Sequence, residues 1–280
     1  MMNSDLLCEV SMSNGQLLFV GLGLYDENDI SLKGLHEIEH ADIIYVEFYT
    51  SKLMEATKQA LEKKFRKHIT ILSRNEVENA KTILDQAETK TVVLLVGGDP
   101  MMATTHVDLR LRARRQGISV AIIHNSSIIT AAPGLLGLQN YKFGRTTTLA
   151  YPEKQYFPTS PYDVIKENKS MGLHTLVLLD IQAEQEKYMT ANEGLDLLLR
   201  MEQEKKEQVI TKDNVVCVIA RAGSSSPLLC ADTISCLQQK DFGPPLHTLI
   251  IPGNLHFMEI EALVAFAGLP GETAKKIQKL

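Results

Sequence analysis

Short apolar runs alternate with helix-like stretches through the first 125 residues, and this alternation limits the chain to few folds. Five runs are nearly continuous in Val, Ile and Leu, as is typical of parallel strands that helices cover on both faces: QLLFVGLG, DIIYVEFYT, HITIL, TVVLLVGG and ISVAIIH. The segments between them have helical periodicity, and in the first of these Leu32, Leu35 and Ile38 fall on one face. The predicted helices are SLKGLHEIEHA, LMEATKQALEKKF, EVENAKTILDQAE and DPMMATTHVDLRLRARRQG. This βαβα order predicts an α/β domain with a mostly parallel sheet.

The second half of the chain has a different texture. APGLLGLQNYKFG and AYPEKQYFPTSPYD are rich in Gly and Pro and predict loops and turns. Strands are predicted again in HTLVLLDI, NVVCVIARAG and LHTLIIPG, and ANEGLDLLLRMEQEKK predicts a helix with Thr190 and Glu193 in capping-box spacing. We therefore predict a C-terminal α/β domain with a mixed sheet over residues 126–280. It follows an N-terminal α/β domain over residues 1–125, of which residues 1–15 form a loose extension.

Composition excludes several classes of protein. The formal net charge of −5 argues against a broad surface for nucleic acid or anionic membranes. The cysteines form no CxxC pair, so reduced thiols are expected rather than disulfides or a zinc site: they are Cys8, Cys217, Cys230 and Cys236. The N-terminus lacks a basic signal-peptide region, and no apolar run is long enough to span a bilayer. Cytoplasmic localisation is the expectation.

A glycine-rich turn, Gly21-Leu22-Gly23-Leu24, ends the first predicted strand. It resembles the start of a dinucleotide-binding fingerprint, with Glu47 as the acid after the second strand. The fingerprint needs a third glycine for close packing of helix on strand, and that place holds Asp26. A plain tight turn and a ligand loop are equally compatible with this motif.

A second glycine corner, Gly97-Gly98-Asp99-Pro100, ends the fourth predicted strand. Pro100 suits the first position of a helix and Asp99 suits its N-cap, so the corner predicts a helix start. Gly98 removes a side chain where the backbone faces the sheet edge. Ligands of open α/β sheets collect at the carboxyl ends of the strands, where both glycine turns are predicted to lie.

Asn125, Ser126 and Ser127 follow the fifth predicted strand and reach the same edge, where either serine is suited to cap the next helix. Neither serine lies in a G-x-S-x-G elbow, so a hydrolase is set aside. His106 and His124 are expected to be hydrogen-bonded residues near the core. ARAGSSSP is compatible with a cleft wall and with a hairpin.

Nine stretches together resemble one family: FVGLGLYDENDISLKGL, VEFYTS, GGDPMMATTH, HNSSI, YKFG, GLHTLVLLDI, YMTANE, ARAGS and LHTLIIPGNLHFMEIE. They resemble the S-adenosylmethionine-dependent methyltransferases of the tetrapyrrole-methylase type, and within these the branch that builds diphthine on a translation factor. The resemblance runs in order over about residues 17–270. The long motifs are specific to that branch, whereas the glycine corners alone indicate only the wider superfamily.

The resemblance implies two α/β domains with S-adenosylmethionine in the cleft between them, and a homodimer. It implies translation elongation factor 2 as the protein substrate. A histidine of that factor carries a 3-amino-3-carboxypropyl group, and the amine of this group receives the methyl groups in diphthamide biosynthesis. YFPTSPYDVIKENKSMGLHTL resembles the archaeal form of the family, which adds three methyl groups, more than the eukaryotic form, which also esterifies the carboxylate.

Carried over position by position, the family's cofactor contacts lie in the first glycine turn, the corner after the fourth strand, HNSSI and three places in the second domain. The implied contacts are Leu24, Asp99, Met102, Ser127, Ile128, Leu179, Ala222 and His247. The stretches in the first domain, and HNSSI, are those that the glycine and serine patterns already indicate. No metal ligand is implied.

The implied chemistry needs no nucleophilic side chain, because a sulfonium methyl is already activated and the enzyme mainly aligns the reacting atoms. The attacking amine must lose a proton, and by placement Glu47, Tyr49 and Tyr151 are candidate acceptors. Two other functions stay open at this point. One is a nucleotide-linked oxidoreductase built on the first glycine turn, and the other is a non-catalytic protein that binds an adenosine ligand.

Overall fold

The computed structural model describes residues 14–49, 51, 53, 57–102, 104–152 and 157–278. The chain divides into two compact units, Met1–Ser126 and Ser127–Leu280. Each unit has its own sheet and its own hydrophobic core. Residues 1–13 of the predicted N-terminal extension, with Cys8, lie outside the described residues.

The first unit contains a five-stranded sheet in which every pairing is parallel, as the continuous apolar runs predict. The strand order is β3-β2-β4-β1-β5. Phe19 and Leu94 pack on one face, Val20 and Leu95 pack on the other, and all four are fully buried. Burying each such side chain contributes about 1.5–3 kcal/mol, which is why these strands lack polar alternation. The strands are β1 (Gln16–Gly21), β2 (Ile43–Glu47), β3 (Thr70–Leu72), β4 (Thr91–Val96) and β5 (Ser119–Ile123).

The helices of the first unit depart from the sequence pattern in three places. Leu32 is the first residue of its helix and is 86% exposed, although Ile38 on the same predicted face is buried. EVENAKTILDQAE forms two helices because Ala80 takes a left-handed φ of 62° with its methyl group in the core. The helix predicted to start at Asp99 begins at Thr104. The helices are α1 (Leu32–His40), α2 (Lys58–Phe65), α3 (Arg74–Asn79), α4 (Lys81–Ala87) and α5 (Thr104–Arg115).

The second unit contains the predicted mixed sheet, with order β11-β10-β12-β7-β6. β6 and β7 pair in parallel, and the other neighbours pair antiparallel. ARAGSSSP joins β10 to β11 and is therefore a hairpin connection. The strands are β6 (Thr147–Leu149), β7 (Thr175–Leu179), β10 (Val215–Ala220), β11 (Leu228–Thr233) and β12 (His247–Ile251), with a separate short hairpin of β8 (Ile181–Gln182) and β9 (Lys187–Tyr188).

Two segments of the second unit that predict loops contain helices. The APGLL part of APGLLGLQNYKFG lies inside α6, because Ala132, Pro133 and Leu136 are buried and their packing outweighs the weak helix propensity of Gly and Pro. The end of AYPEKQYFPTSPYD starts α7. The capping box of Thr190 and Glu193 is confirmed at the start of α8. The helices are α6 (Ile128–Leu136), α7 (Ser160–Ser170), α8 (Ala191–Lys205), α9 (Ile234–Leu237), α10 (Phe257–Ala267) and α11 (Gly271–Ile277).

A buried carboxylate, that of Glu259 on α10, joins separate segments of the second unit. Its Oε1 atom accepts hydrogen bonds from the Gln139 backbone N–H (2.9 Å) and from His174 Nε2 (3.0 Å). Its Oε2 atom accepts from Lys142 Nζ (2.6 Å) and from the His256 backbone N–H (2.8 Å). All four oxygen lone-pair directions of the carboxylate are therefore used.

The environment of this carboxylate decides its charge. Burial by itself raises the pKa of Glu259, but hydrogen bonds from Lys142 and from backbone N–H groups outweigh it and lower the pKa to about 2. Burial is also the main cause that lowers the pKa of His174 below its ordinary value. The second unit therefore contains an ionised Glu259 beside a neutral His174.

Three of the four cysteines lie among the described residues. Cys217, Cys230 and Cys236 are free thiols, and Cys217 is a fully buried core residue as predicted. In the part of the chain that the structure describes, no helix has the length and apolar character needed to cross a bilayer.

Candidate functional site

The two glycine turns of the first unit are joined to each other. β1 and β4 are neighbours, with Gly21 opposite Val96, so both strands end at the same edge. Beyond them the Gly98 N–H donates to the Gly23 carbonyl (2.7 Å), and the Gly23 N–H donates to the Gly98 carbonyl (3.3 Å). The prediction that both turns meet at the carboxyl edge of the sheet is confirmed.

Glycine is required in this pair of turns for two separate reasons. Gly23 and Gly98 have φ of 85° and 73°, the left-handed region in which side chains are strained. Gly21 is limited by space, because a Cβ there would lie 2.5 Å from the Gly98 carbonyl oxygen and 2.8 Å from Asn125 Cβ. At this edge the backbone segments of the two turns therefore pack directly on each other, without room for side chains between them.

Asp29 shapes the first glycine turn and is a residue that the sequence analysis missed. Its Oδ2 atom accepts hydrogen bonds from the backbone N–H groups of Leu24 (3.0 Å) and Tyr25 (2.7 Å). In a dinucleotide site such N–H groups face the pyrophosphate. Here the Asp29 carboxylate takes the place that a pyrophosphate would have, and its negative charge would repel that group.

Asp99 does not cap a helix, and that prediction is wrong. Its Oδ1 atom accepts the Met101 N–H (3.1 Å), which closes a turn well before α5. Its Oδ2 atom accepts the Asn125 N–H (3.3 Å) and lies 2.7 Å from His124 Nδ1. The physical reason lies in the tertiary structure. β4 and β5 end at the same edge, so that His124 and Asn125 after β5 bind the Oδ2 atom of Asp99.

Asn125 links the exits of three strands. Its Nδ2 atom donates to the carbonyls of Gly21 (2.9 Å) and Asp29 (3.0 Å), and its Oδ1 atom accepts the Ser126 N–H (2.8 Å). With its own N–H on Asp99, the residue ties β5 to the turns after β1 and β4. Its position after a strand was the only sequence signal, since three long-range partners leave no local pattern.

The predicted cofactor contacts of the first unit lie on these joined turns. Leu24 is half-buried and follows Gly23, Asp99 is 8% exposed, and Met102 is 55% exposed. Ser127 and Ile128 begin α6 in the second unit, where Ser127 is the N-cap and its Oγ accepts the Ile129 N–H (3.3 Å). The assignment of all these residues to the cofactor stays a prediction.

The other predicted contacts lie at one end of the second sheet. Leu179 is the last residue of β7, and His247 is the first residue of β12, which pairs with β7 and with β10. Ala222 follows β10, whose last residue, Ala220, is paired with His247. Three positions that are far apart in sequence are therefore brought to neighbouring strand ends.

Both ring nitrogens of His247 have hydrogen-bond partners within the second unit. Its Nδ1 atom accepts the Ala191 N–H (3.0 Å) at the start of α8, and its Nε2 atom lies 3.1 Å from the Pro244 carbonyl. Burial is the main cause that lowers its pKa. A ligand in contact with His247 would meet a neutral ring or its backbone, not a cation.

The structure weighs against the three candidate proton acceptors. Glu47 is fully buried and accepts the Tyr49 N–H (3.0 Å). Burial, followed by Glu47, raises the pKa of Tyr49 to about 12. Burial, followed by Glu193, also raises the pKa of Tyr151, whose hydroxyl donates to Glu193 (3.2 Å). Neither phenol is a phenolate near neutral pH, so neither is suited to accept a proton.

The two histidines near this edge differ. His106 is fully buried, with Nδ1 2.7 Å from the Pro100 carbonyl, as predicted for a hydrogen-bonded core residue. The same prediction for His124 is wrong in one respect, because its side chain is 70% exposed. The exit of β5 therefore places an exposed imidazole beside Asp99.

Comparison with known proteins agrees with this architecture. Residues 16–232 match the family Tetrapyrrole (Corrin/Porphyrin) Methylases. A diphthine synthase of Methanosphaera stadtmanae is 49% identical over 259 residues, which cover 92% of this chain and 98% of the relative. A diphthine synthase of Methanothermobacter thermautotrophicus is 48% identical over 261 residues, which cover 93% and 99%. A crystal structure of diphthine synthase superposes with a TM-score of 0.86 at 41% identity, covering 93% of this chain and 99% of the other.

The fold, the joined turns and the family match define an S-adenosylmethionine-dependent methyltransferase of the tetrapyrrole-methylase class. Relatives that match over nearly their whole length narrow this class further. The chain belongs to the diphthine synthase family. The oxidoreductase alternative is thereby excluded, in agreement with the carboxylate of Asp29 in the first glycine turn.

Proposed function

We propose that this protein transfers methyl groups from S-adenosylmethionine to the amine of the 3-amino-3-carboxypropyl-modified histidine of translation elongation factor 2, giving diphthine. The observation that carries the proposal is that the chain aligns with two diphthine synthases over 98% and 99% of their length, at 49% and 48% sequence identity. Because the substrate is a factor of translation, we place the reaction in the cytoplasm. The test is mass spectrometry of the modified factor after incubation with the protein and S-adenosylmethionine.

The residues of the joined turns fit such a cofactor. When bound, S-adenosylmethionine supplies an activated methyl group on a positively charged sulfur. Gly23 and Gly98 hold the two turns together in left-handed conformations, and the carboxylates of Asp29 and Asp99 favour a cationic ligand over an anionic one. We propose that the eight positions implied by the family resemblance hold the cofactor. Their role is to bind and orient it.

The first expected result concerns the number of methyl groups. We expect the substrate to gain three methyl groups on the amine, since the segment before β7 resembles the archaeal form of the family. Intact-mass measurement of elongation factor 2 before and after exhaustive reaction checks this. A fourth methyl group that is lost on mild base treatment would be an ester and would contradict it. Binding of S-adenosylmethionine without any mass change would instead favour the non-catalytic alternative.

We also propose that the protein is a homodimer, and one side of α10 offers a surface for the contact. Phe257 and Val264 on this helix are 57% and 42% exposed. Large apolar side chains exposed on one side of a surface helix are typical of an interaction site. A second copy of the chain is the occupant that the family resemblance implies.

A charge placed on this face should weaken the dimer. Phe257 and Val264 are seven residues apart and so lie on the same side of α10, and replacing both with Glu should raise the dimer dissociation constant tenfold or more, about 1.4 kcal/mol at least. Light scattering over a dilution series measures this. Leu32→Glu, at an exposed position of the first unit, is the control and should change nothing. A wild type that is monomeric at the highest concentration would contradict the proposal.

A further inference from the structure

His124 and Asp99 form a pair with the geometry of a base and its orienting carboxylate. His124 Nδ1 lies 2.7 Å from Asp99 Oδ2, and an ionised carboxylate only accepts, so the proton of the ring is on Nδ1. Nε2 then carries a lone pair. This atom lies on the side of the ring away from Asp99, and the side chain is 70% exposed. The exposed edge of the ring is therefore a proton acceptor.

Asp99 is itself held in place. Its side chain is 9% exposed, and it accepts the backbone N–H groups of Met101 (3.1 Å) and Asn125 (3.3 Å). A carboxylate fixed by backbone donors holds the imidazole in one orientation and stabilises the cation that forms when Nε2 takes a proton. The Asp99 carboxylate is therefore held by the backbone independently of its contact with His124.

The two buried histidines of the second unit use both of their ring nitrogens, and His106 of the first unit is fully buried and cannot reach a substrate. His174 uses Nδ1 for the Gly253 N–H and Nε2 for Glu259. His247 uses Nδ1 for the Ala191 N–H and Nε2 for the Pro244 carbonyl. His124 differs because its second nitrogen faces outward at the edge where the two glycine turns meet.

We propose that His124 accepts the proton that the substrate amine loses before each methyl transfer, an inference that rests on the proposed function. The ammonium group of the substrate gives a proton to Nε2. The freed lone pair forms the nitrogen–carbon bond to the methyl group while the carbon–sulfur bond breaks and its electron pair stays on sulfur. The imidazolium then returns its proton to water through the exposed edge, and three rounds release three protons.

Asp99 contacts the His124 ring from the turn after β4. The next residue, Asn125, donates to the backbone carbonyl of Asp29. The carboxylate of Asp99 favours an approaching ammonium group over a neutral one.

His124→Asn separates catalysis from positioning. The Asn amide nitrogen takes the place of Nδ1 and keeps the hydrogen bond to Asp99, but nothing replaces Nε2. We expect the single-turnover rate on modified elongation factor 2 to fall about a hundredfold near neutral pH. The difference should shrink toward high pH, where the amine loses its proton without help. The dissociation constant of S-adenosylhomocysteine should stay within about threefold, since no cofactor contact is removed.

Two further variants complete the test. His124→Ala should be as slow as His124→Asn, and added imidazole should restore part of its rate. His68→Ala is the matched control, because His68 is also exposed beside a carboxylate, 2.9 Å from Glu62, but precedes β3 at the opposite edge of the sheet. It should react like the wild type.

The outcomes are distinct. A His124→Asn variant with wild-type rates at every pH would show that the ring only positions Asp99 and would overturn the inference while leaving the proposed function intact. A constant rate deficit that does not narrow with pH would overturn it as well. A wild type that transfers no methyl group would overturn the proposed function, and the inference with it.

Discussion

Replacement of Glu259 by Gln is expected to lower the free energy of unfolding by about 3–5 kcal/mol, because it leaves hydrogen-bond donors around a buried carboxylate without their acceptor. Gln keeps one oxygen for two of the four donors but places an amide N–H₂ group against the other two, Lys142 and the His256 N–H. Lys142, whose side chain is 19% exposed, also loses its counter-charge. Urea titration followed by circular dichroism measures the loss.

The same variant should change how stability depends on pH. The pKa of Glu259 is about 2 in the folded protein, against an ordinary value of 4.5, so the unfolded chain binds the proton first as pH falls. The network therefore contributes fully above about pH 4.5 and is lost as pH falls toward 2. The lowered pKa of His174 acts in the same direction below its ordinary value of 6.5. Stability should fall more steeply on acidification in the wild type than in Glu259→Gln.

Glu261→Gln is the matched control for both measurements. Glu261 lies on the same helix but on its exposed side, so its replacement should change stability by no more than about 0.5 kcal/mol and leave the acid slope unaltered. If Glu259→Gln lost less than about 1 kcal/mol, or kept the wild-type slope, the network would not act through its charge.

Gly98→Val is expected to weaken binding of S-adenosylhomocysteine tenfold to a hundredfold, or about 1.4–2.7 kcal/mol. Gly98 has φ of 73° and exchanges both of its backbone hydrogen bonds with Gly23, so a branched side chain strains the backbone and stands at the edge proposed for the ligand. Isothermal titration measures affinity, and thermal melts without ligand measure the strain.

Gly117→Val separates strain from ligand contact. Gly117 has φ of 77°, close to that of Gly98, but it lies between α5 and β5 at the opposite edge of the first sheet. Both variants should lose about 1–3 kcal/mol of stability, and only Gly98→Val should also lose affinity. Equal stability losses with unchanged affinity in both would mean that the glycine corner shapes the fold without meeting the ligand.

Much of the fold could be predicted from the sequence because its causes are local. The strands of the first unit are continuous apolar runs, which only burial on both faces can accommodate, and all five were located. Thr190 and Glu193 form their capping box from residues three positions apart. Long family motifs identified the class of enzyme, since several of them couple a glycine turn to specific neighbours in sequence.

Only the tertiary structure decided the roles of the side chains at the sheet edge. Asp99 follows β4 and has the local signature of a helix cap, but its carboxylate binds the exit of another strand instead, because β5 delivers His124 and Asn125 to it. Asp29 and Asn125 join turns that are separated by about a hundred residues, and no local spacing encodes that contact. The exposure of His124 likewise follows from where its strand ends. The sequence by itself determined which segments are buried, since that depends on side-chain chemistry, whereas the pairing of polar groups across the edge required the folded arrangement of strands.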